Sequence, residues 1–192
     1  MFVKIRMKLL SDVIFGNGVS IPGGEDISVL CDKYGFPYYK GSTFKGIFRE
    51  ELCRYLDWIG FSQKDSYNKV KELLGESGDD TEEKGKLVFS DFCLSENVKY
   101  CILKELGENS STEITNILTH TRTFTKIDEE GIVQQGSLRV GRCVNKGLYF
   151  YSNIECKKED EQLIEEVCSL IKWIGTMRNR GFGKVQITVM EE

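Results

Sequence analysis

Residues 23–49, GGEDISVLCDKYGFPYYKGSTFKGIFR, bring three carboxylates, two of them adjacent, and several cations into one short span, a combination suited to holding a phosphate. Gly23 and Gly24 can take backbone conformations closed to other residues, which places Glu25 and Asp26 in an exposed, sharply turned loop. Lys45 and Arg49 are four apart on the helix that follows, so they share a face beside its unpaired N-terminal amides. Two cations and those amides then look into the same space as the acidic loop. A second cationic group, Arg178, Arg180 and Lys184, sits in GTMRNRGFGKV at 175–185, where glycines let the backbone come close to a phosphate chain.

The elements that must position these groups can be read from spacing. Val3, Ile5, Met7 and Leu9 alternate with Lys4, Arg6 and Lys8, predicting a first strand with one buried and one basic face. Asp32 to Gly35 reads as a turn, and Pro37 biases Phe36 toward extended backbone through Tyr39. Ser42 or Thr43 can cap a helix from Thr43 to Gly60, whose apolar stripe is Phe44, Ile47, Phe48, Leu52, Tyr55, Leu56 and Ile59. A weaker helix covers Ser66 to Leu74, and residues 75–86 form a polar, acidic loop to which no chemistry is assigned.

Leu87 to Leu94 and Val98 to Leu103 predict two strands joined as a hairpin by Ser95 to Asn97. Thr119 to Gly136 alternates threonine with His120, Arg122, Phe124 and Lys126, turns at Asp128 to Gly131, and returns through Ile132 and Val133. With too little apolar surface for a core, it is expected to project as a hairpin able to contact a strand of nucleic acid. Leu138 to Val144 and Leu148 to Cys156 predict two more strands. Leu163, Ile164, Val167, Leu170, Ile171 and Ile174 then mark an amphipathic helix capped by Gly175, and Val185, Ile187 and Val189 a last strand. With right-handed crossovers this order gives an α+β, ferredoxin-like βαββαβ sandwich of the RNA-recognition type, in one domain over 1–192, with an inserted β-hairpin at 119–136 and a C-terminal glycine-rich loop.

Composition is ordinary for a globular chain, no apolar run is long enough for a membrane span, and the alternating, charged start is not a signal core, so a cytoplasmic protein with no membrane partner is expected. The 7 cysteines include no C-x-x-C pair and there is 1 histidine, which argues for reduced core thiols over a zinc site. A net charge of −4 looks unfavourable for a nucleic-acid partner. Its distribution reverses that reading: residues 33–49, 114–127, 131–154 and 172–184 hold half of the 26 Lys and Arg and none of the 30 acids. Interleaved with Tyr38, Tyr39, Phe124, Tyr149 and Phe182, these stretches have the makings of an RNA-binding face.

The segments at 23–50 and 175–185, with LVFSDF, HTRTFTKID and GSLRVGRCVNKGLYF between them, resemble the RAMP superfamily of CRISPR-associated proteins. The acidic loop ahead of the G-x-P-Y-x-x-G-S-x-x-K-G-x-x-R helix looks most like the repeated backbone subunits of type III effector complexes, of the Csm, Cmr or type III-D kind. The resemblance implies a modified RNA-recognition fold aligned along a guide CRISPR RNA, with a thumb-like hairpin that splays the guide–target duplex. It implies as partners the guide, the target RNA, copies of the chain itself or related RAMP subunits, and other type III effector subunits. Lys45, Arg49, Arg122, Lys126, Arg178, Arg180 and Lys184 are then the expected RNA-binding residues. It also implies an active-site aspartate at the position of Asp26, supporting cleavage of target RNA with a divalent metal, Mg²⁺ or Mn²⁺, in a reaction that begins at the ribose 2′-hydroxyl. A carboxylate can hold such a hydrated ion or orient the attacking oxygen, while Lys45 offsets charge on the phosphorane. Lys40 stands where the family usually has proline before Gly-Ser, and the lone His120 lies in the hairpin, away from the first helix, so processing of precursor guide is not expected.

Three functions are open on these grounds. One is an RNA-guided metal-dependent endoribonuclease subunit, and a second is a structural subunit of the same kind with Asp26 as a turn residue. The third is a small-molecule enzyme using GFGK as a nucleotide loop, which lacks any P-loop or dinucleotide fingerprint. RNA binding separates the first two from the third, and metal-dependent cleavage separates the first from the second.

Overall fold

A computed structural model describes residues 1–16, 18, 25–76, 85–125, 129–132 and 134–190. Gly23, Gly24, Lys126, Val133 and the polar stretch 77–84 lie outside the described residues, as does part of the expected hairpin turn.

Strand β1 (Phe2–Leu9) buries Val3, Ile5, Met7 and Leu9 and exposes Lys4 and Arg6, as its alternation requires. It forms the centre of an antiparallel sheet in the order β2-β5-β1-β6, with β2 (Val88–Phe89), β5 (Tyr149–Glu155) and β6 (Val185–Val189). Helix α1 (Gly41–Trp58) follows β1, and α5 (Glu161–Leu170) follows β5. These six elements have the ferredoxin-like order and strand arrangement. Phe44, Phe48, Leu52 and Leu56 of α1 are buried against the sheet, and truncating such a phenylalanine to alanine costs about 3–5 kcal/mol. Ile59, at the end of the expected stripe, is exposed.

Five further elements decorate this plan. Helix α2 (Gln63–Leu74) packs on α1, its N-terminus capped by the Ser62 hydroxyl, which accepts from the Asp65 amide at 3.2 Å. Between β2 and β5 come α3 (Glu96–Leu106), α4 (Ser111–Leu118), β3 (Thr119–Phe124) and β4 (Arg139–Val144).

Several expectations are corrected. Val98 to Leu103 is helical, not a strand: Ser95 caps α3 by accepting from the Val98 amide at 3.4 Å, and Val98, Ile102 and Leu106 recur at helical spacing. The strand pairing back onto β3 is β4, in register from Thr119↔Val144 to Phe124↔Arg139, so the return lies beyond Ile132 and Val133. The base of this hairpin is not solvated, since Thr119, Gly141 and Cys143 are buried. The last helix ends at Leu170 and has Ile171 as its C-cap, five residues before Gly175. Gly175 instead adopts φ +72° in close contact with Ile14, where a Cβ would stand 2.6 Å from the Ile14 oxygen.

All seven cysteines are free. Burial pushes the Cys168 thiol up to about 12 and the Cys143 thiol up to about 11, as expected of core thiols, whereas Cys101 on α3 is exposed. Among the described residues no helix is long and apolar enough to cross a membrane.

Candidate nucleic-acid interface

A small apolar cluster apart from the main core holds the candidate segments together. Ile14 after β1, Cys143 of β4 and Phe182 of the glycine loop are buried in it, with Ile27, Phe124 and Met177 packed around them. The acidic loop, the hairpin and the glycine loop therefore share one hydrophobic anchor.

Asp26 is tied to the hairpin, not to α1. Its amide donates to the Val140 carbonyl (2.8 Å) and its Oδ2 accepts from the Val140 amide (2.7 Å), so it extends the edge of β4. Oδ1 accepts no hydrogen bond from any described residue, and the side chain is exposed. Glu25, by contrast, is neutralised: Arg142 holds its Oε1 with Nε at 2.6 Å and Nη2 at 2.5 Å, while the same guanidinium donates to Asn116 and Thr119. Of the two acids only Asp26 is available to a ligand.

The shared space expected between this loop and the start of α1 is not formed as pictured. The N-cap residue Lys40 makes no side-chain cap; instead Asp91 Oδ1 accepts from the Gly41 amide at 2.8 Å, so a carboxylate of the chain itself occupies the anion position. Gly41 is needed for packing, since a Cβ there would meet Ser90 and Phe89 carbonyl oxygens at 2.5 and 2.6 Å. Arg49 turns to the end of α2, donating to the Gly75 and Leu74 carbonyls at 3.0 and 3.2 Å, and thus satisfies orphan helix groups in place of a phosphate. Lys45 is half-buried, and burial, then the neighbouring Arg49 charge, hold its ammonium below the usual lysine value.

The glycine loop keeps its cations free. Arg178–Arg180 is a single 3₁₀ turn between two left-handed residues, Met177 (φ 57°) and Gly181 (φ 84°), closed by the Arg180 and Gly181 amides, which donate to the Met177 and Arg178 carbonyls at 2.8 and 3.1 Å. Arg180 lines a cleft of about 500 Å³ with Phe124, Gln134, Gly136, Arg139 and Met177, so the loop and the hairpin form its walls. Arg139 adjoins Val140, which places this cleft next to Asp26. Arg178 lies on the other side of the loop, in a groove of about 550 Å³ with Glu51, Arg54, Lys172 and Trp173. Beneath the loop the Tyr39 hydroxyl is pushed up to about 12 by burial, opposed by the Gly175 backbone and the Arg178 charge.

Arg122 reaches over Phe182 with 5.6 Å to the ring centroid, but Asp12 Oδ2 accepts from its Nη2 at 2.8 Å. Asp12 is the residue that sequence reasoning missed: its Oδ1 accepts from the Lys146 amide and its carbonyl from the Gly183 amide, joining hairpin and glycine loop. His120 sits in the same cluster, its Nδ1 2.6 Å from Asn145 Oδ1 and its Nε2 accepting from Arg122 Nε at 3.2 Å. Lys184 is exposed and makes no ion pair with described residues. Arg139 and Arg142 were visible only as members of an acid-free stretch. Asp32 fixes the turn, its Oδ1 accepting from the Tyr34 and Phe36 amides at 2.9 and 3.0 Å.

One exposed carboxylate beside a cationic cleft fits a largely hydrated divalent ion that takes its other ligands from water and phosphate. No cluster of three or more acidic, histidine or cysteine ligands exists among the described residues.

No curated protein matches the chain in sequence. Among solved structures it resembles a chain of the Type III-B Cmr-beta bound to cognate target RNA, seen by cryo-EM, with a TM-score of 0.71 at 15% identity, covering 98% of this chain and 97% of that one. A chain of Type III-B Cmr-beta in its apo state gives a TM-score of 0.70 at 14% identity, covering 100% and 98%. The RAMP superfamily model matches residues 6–186, nearly the whole length, and the chain belongs to the RAMP superfamily.

Proposed function

We propose that the chain is an RNA-binding backbone subunit of a type III CRISPR effector complex, holding guide RNA and cutting paired target RNA at Asp26. The observation that carries this is the position of Asp26: an exposed carboxylate fixed by the Val140 amide at the foot of the hairpin, beside the cleft of Arg139 and Arg180. Membership of the RAMP superfamily and structural likeness to chains of an RNA-bound Type III-B complex support the same reading.

In this reading Arg178, Arg180 and Lys184 hold the phosphate chain, and Arg122 of the hairpin borders it. Arg122 contributes little net charge because Asp12 matches it. Arg49 is left out, its guanidinium being held by α2. The Val140 bond leaves Oδ1 open, and the carboxylate would orient or deprotonate the ribose 2′-hydroxyl, whose oxygen attacks the adjacent phosphorus as the P–O5′ bond breaks and the 5′-oxygen leaves with a proton from water. Asp26 would hold Mg²⁺ or Mn²⁺, which would supply charge neutralisation at the scissile phosphate.

The test is Asp26→Asn in the complex assembled with guide RNA, matched target and Mg²⁺. Asparagine keeps an oxygen to accept from Val140 but loses the charge, so it separates chemistry from loop packing better than alanine does. Target cleavage should fall at least a hundredfold with guide and target binding within about twofold. Cleavage at the wild-type rate, or none by an intact wild-type complex, leaves the structural RNA-binding role.

A further inference from the structure

Among the described residues no helix covers the outer face of the four-stranded sheet, and its two central strands carry a basic and aromatic pattern. On β1 it presents Lys4, Arg6 and Lys8; directly opposite on β5 stand Tyr149 and Tyr151, by the register Lys8↔Tyr149 and Arg6↔Tyr151. Lys4 lies 5.7 Å from the Tyr151 ring centroid, and Arg6 and Lys8 lie 5.9 and 5.5 Å from that of Tyr149. None of the three cations makes an ion pair with a described residue. Cations held without a counter-ion over one exposed ring, Tyr149, and one half-buried ring, Tyr151, are placed to meet an anion whose neighbour can stack.

We propose that this sheet face is a second site for single-stranded nucleic acid, separate from the cleft beside Asp26, with Tyr149 and Tyr151 stacking two bases and Lys4, Arg6 and Lys8 taking the flanking phosphates. Same-face residues two apart on a strand are about 7 Å apart, room for one base on each ring in an extended strand. Central strands of a four-stranded sheet bearing aromatic and basic residues are a known solution to single-strand binding. A cleft of about 640 Å³ at one end of the face, lined by Lys4, Tyr151, Asn153, Ser95 and Asn97, adds side-chain donors and acceptors for a base edge. Its two acids are already engaged, Asp91 by the Gly41 amide and Glu96 by Lys99 at 3.0 Å. Glu155, on the same face of β5, is exposed, and the three cations of β1 outnumber it, so charge complementarity selects a polyanion. The inference does not depend on cleavage at Asp26.

The probe is a fluorescein-labelled twelve-nucleotide uridine RNA with the purified full-length chain, read by anisotropy and by stoichiometry in native mass spectrometry. Wild type should bind two oligonucleotides per chain. Tyr149→Ala, Tyr151→Ala and the triple Lys4→Gln, Arg6→Gln, Lys8→Gln should each reduce this to one at the same concentration, with about tenfold weaker affinity at the lost site. Arg178→Ala with Arg180→Ala should remove the other oligonucleotide and leave this one. Tyr149→Phe keeps the ring and should keep binding, which separates lost stacking from lost fold. Crosslinking of a 4-thiouridine RNA should mark peptides from 2–8 and 149–151. Crosslinks confined to the hairpin and glycine loop, with unchanged stoichiometry in the tyrosine and triple variants, overturn the proposal. So does protection of Tyr149 by a protein subunit, without RNA crosslinks there, in the assembled complex.

Discussion

Gly181 and Gly183 are two residues apart in one loop and share positive φ angles of +84° and +80°, yet their surroundings are opposite. A Cβ on Gly183 would stand 1.9 Å from the Ile174 carbonyl oxygen, while one on Gly181 meets nothing within 4 Å. Gly183 also gives its amide to Asp12 (2.8 Å) and its carbonyl to the Ile174 amide (2.9 Å). Left-handed backbone costs an alanine about 1–2 kcal/mol, and Gly181→Ala should cost that alone. Gly183→Ala carries the same strain and must also push the loop off Ile174. Losing two backbone hydrogen bonds at about 0.5–1.5 kcal/mol each puts it about 1–3 kcal/mol below Gly181→Ala. For a chain of this size that difference is about 2–12 °C in melting temperature.

The readout is a thermal melt of both variants beside RNA affinity by anisotropy. The Cβ of Gly181→Ala enters open space beside Arg180, where the phosphate chain is proposed to run, so its affinity should fall more than its stability. Equal melting temperatures for the two variants would refute the packing argument. Unchanged RNA affinity in Gly181→Ala would refute the close approach of RNA to this loop.

Arg49→Ala should lower stability by about 1–2 kcal/mol through the unsatisfied Gly75 and Leu74 carbonyls and leave RNA affinity within about twofold; weaker RNA binding at an unchanged urea midpoint would return Arg49 to the interface. Stability should also fall at alkaline pH. Burial raises the folded-state values of Cys168 and Cys143 from 9.0 to about 12 and about 11, and of Tyr39 from 10.0 to about 12. The folded state thus retains protons that the unfolded chain releases, so their contribution is complete below about pH 9 and is lost as pH rises toward 12. A urea midpoint unchanged between pH 8 and pH 10.5 would contradict this, as would alkylation of Cys168 before the exposed Cys101.

The elements legible in the sequence are those with a strict period and a single buried face. The alternation of β1 and the Phe44-Phe48-Leu52-Leu56 stripe of α1 carry their own geometry, and the strand order follows from chain handedness. Val98 to Leu103 was misread because a six-residue apolar run fits either period, and the deciding signal was the Ser95 cap ahead of it. The site was legible in its residue types but not in its pairings. Asp26 and Arg180 could be chosen as exposed charges beside glycines, whereas nothing local says that Arg49 finds the end of α2 or that Asp26 bonds Val140. Those partners are 26 and 114 residues away, and only the packed fold brings them together.

The charge of the molecule is sorted by pairing as much as by position. Asp12 and Glu25 are each matched by an arginine of the hairpin, and Asp91 by the first amide of α1. Arg139, Arg178, Arg180 and Lys184 make no ion pair with described residues, so the cleft wall and the glycine loop carry cations unmatched by the chain's own acids although the chain as a whole carries −4. Asp26 is the exception, an acid left unpaired among these cations. An unpaired carboxylate works against holding a polyanion, and structural need does not account for it, since the Val140 amide is equally satisfied by the oxygen of asparagine. What asparagine cannot supply is the negative charge, and that charge is what the proposed chemistry on the phosphate chain would require, which is why Asp26→Asn is the variant that tests it.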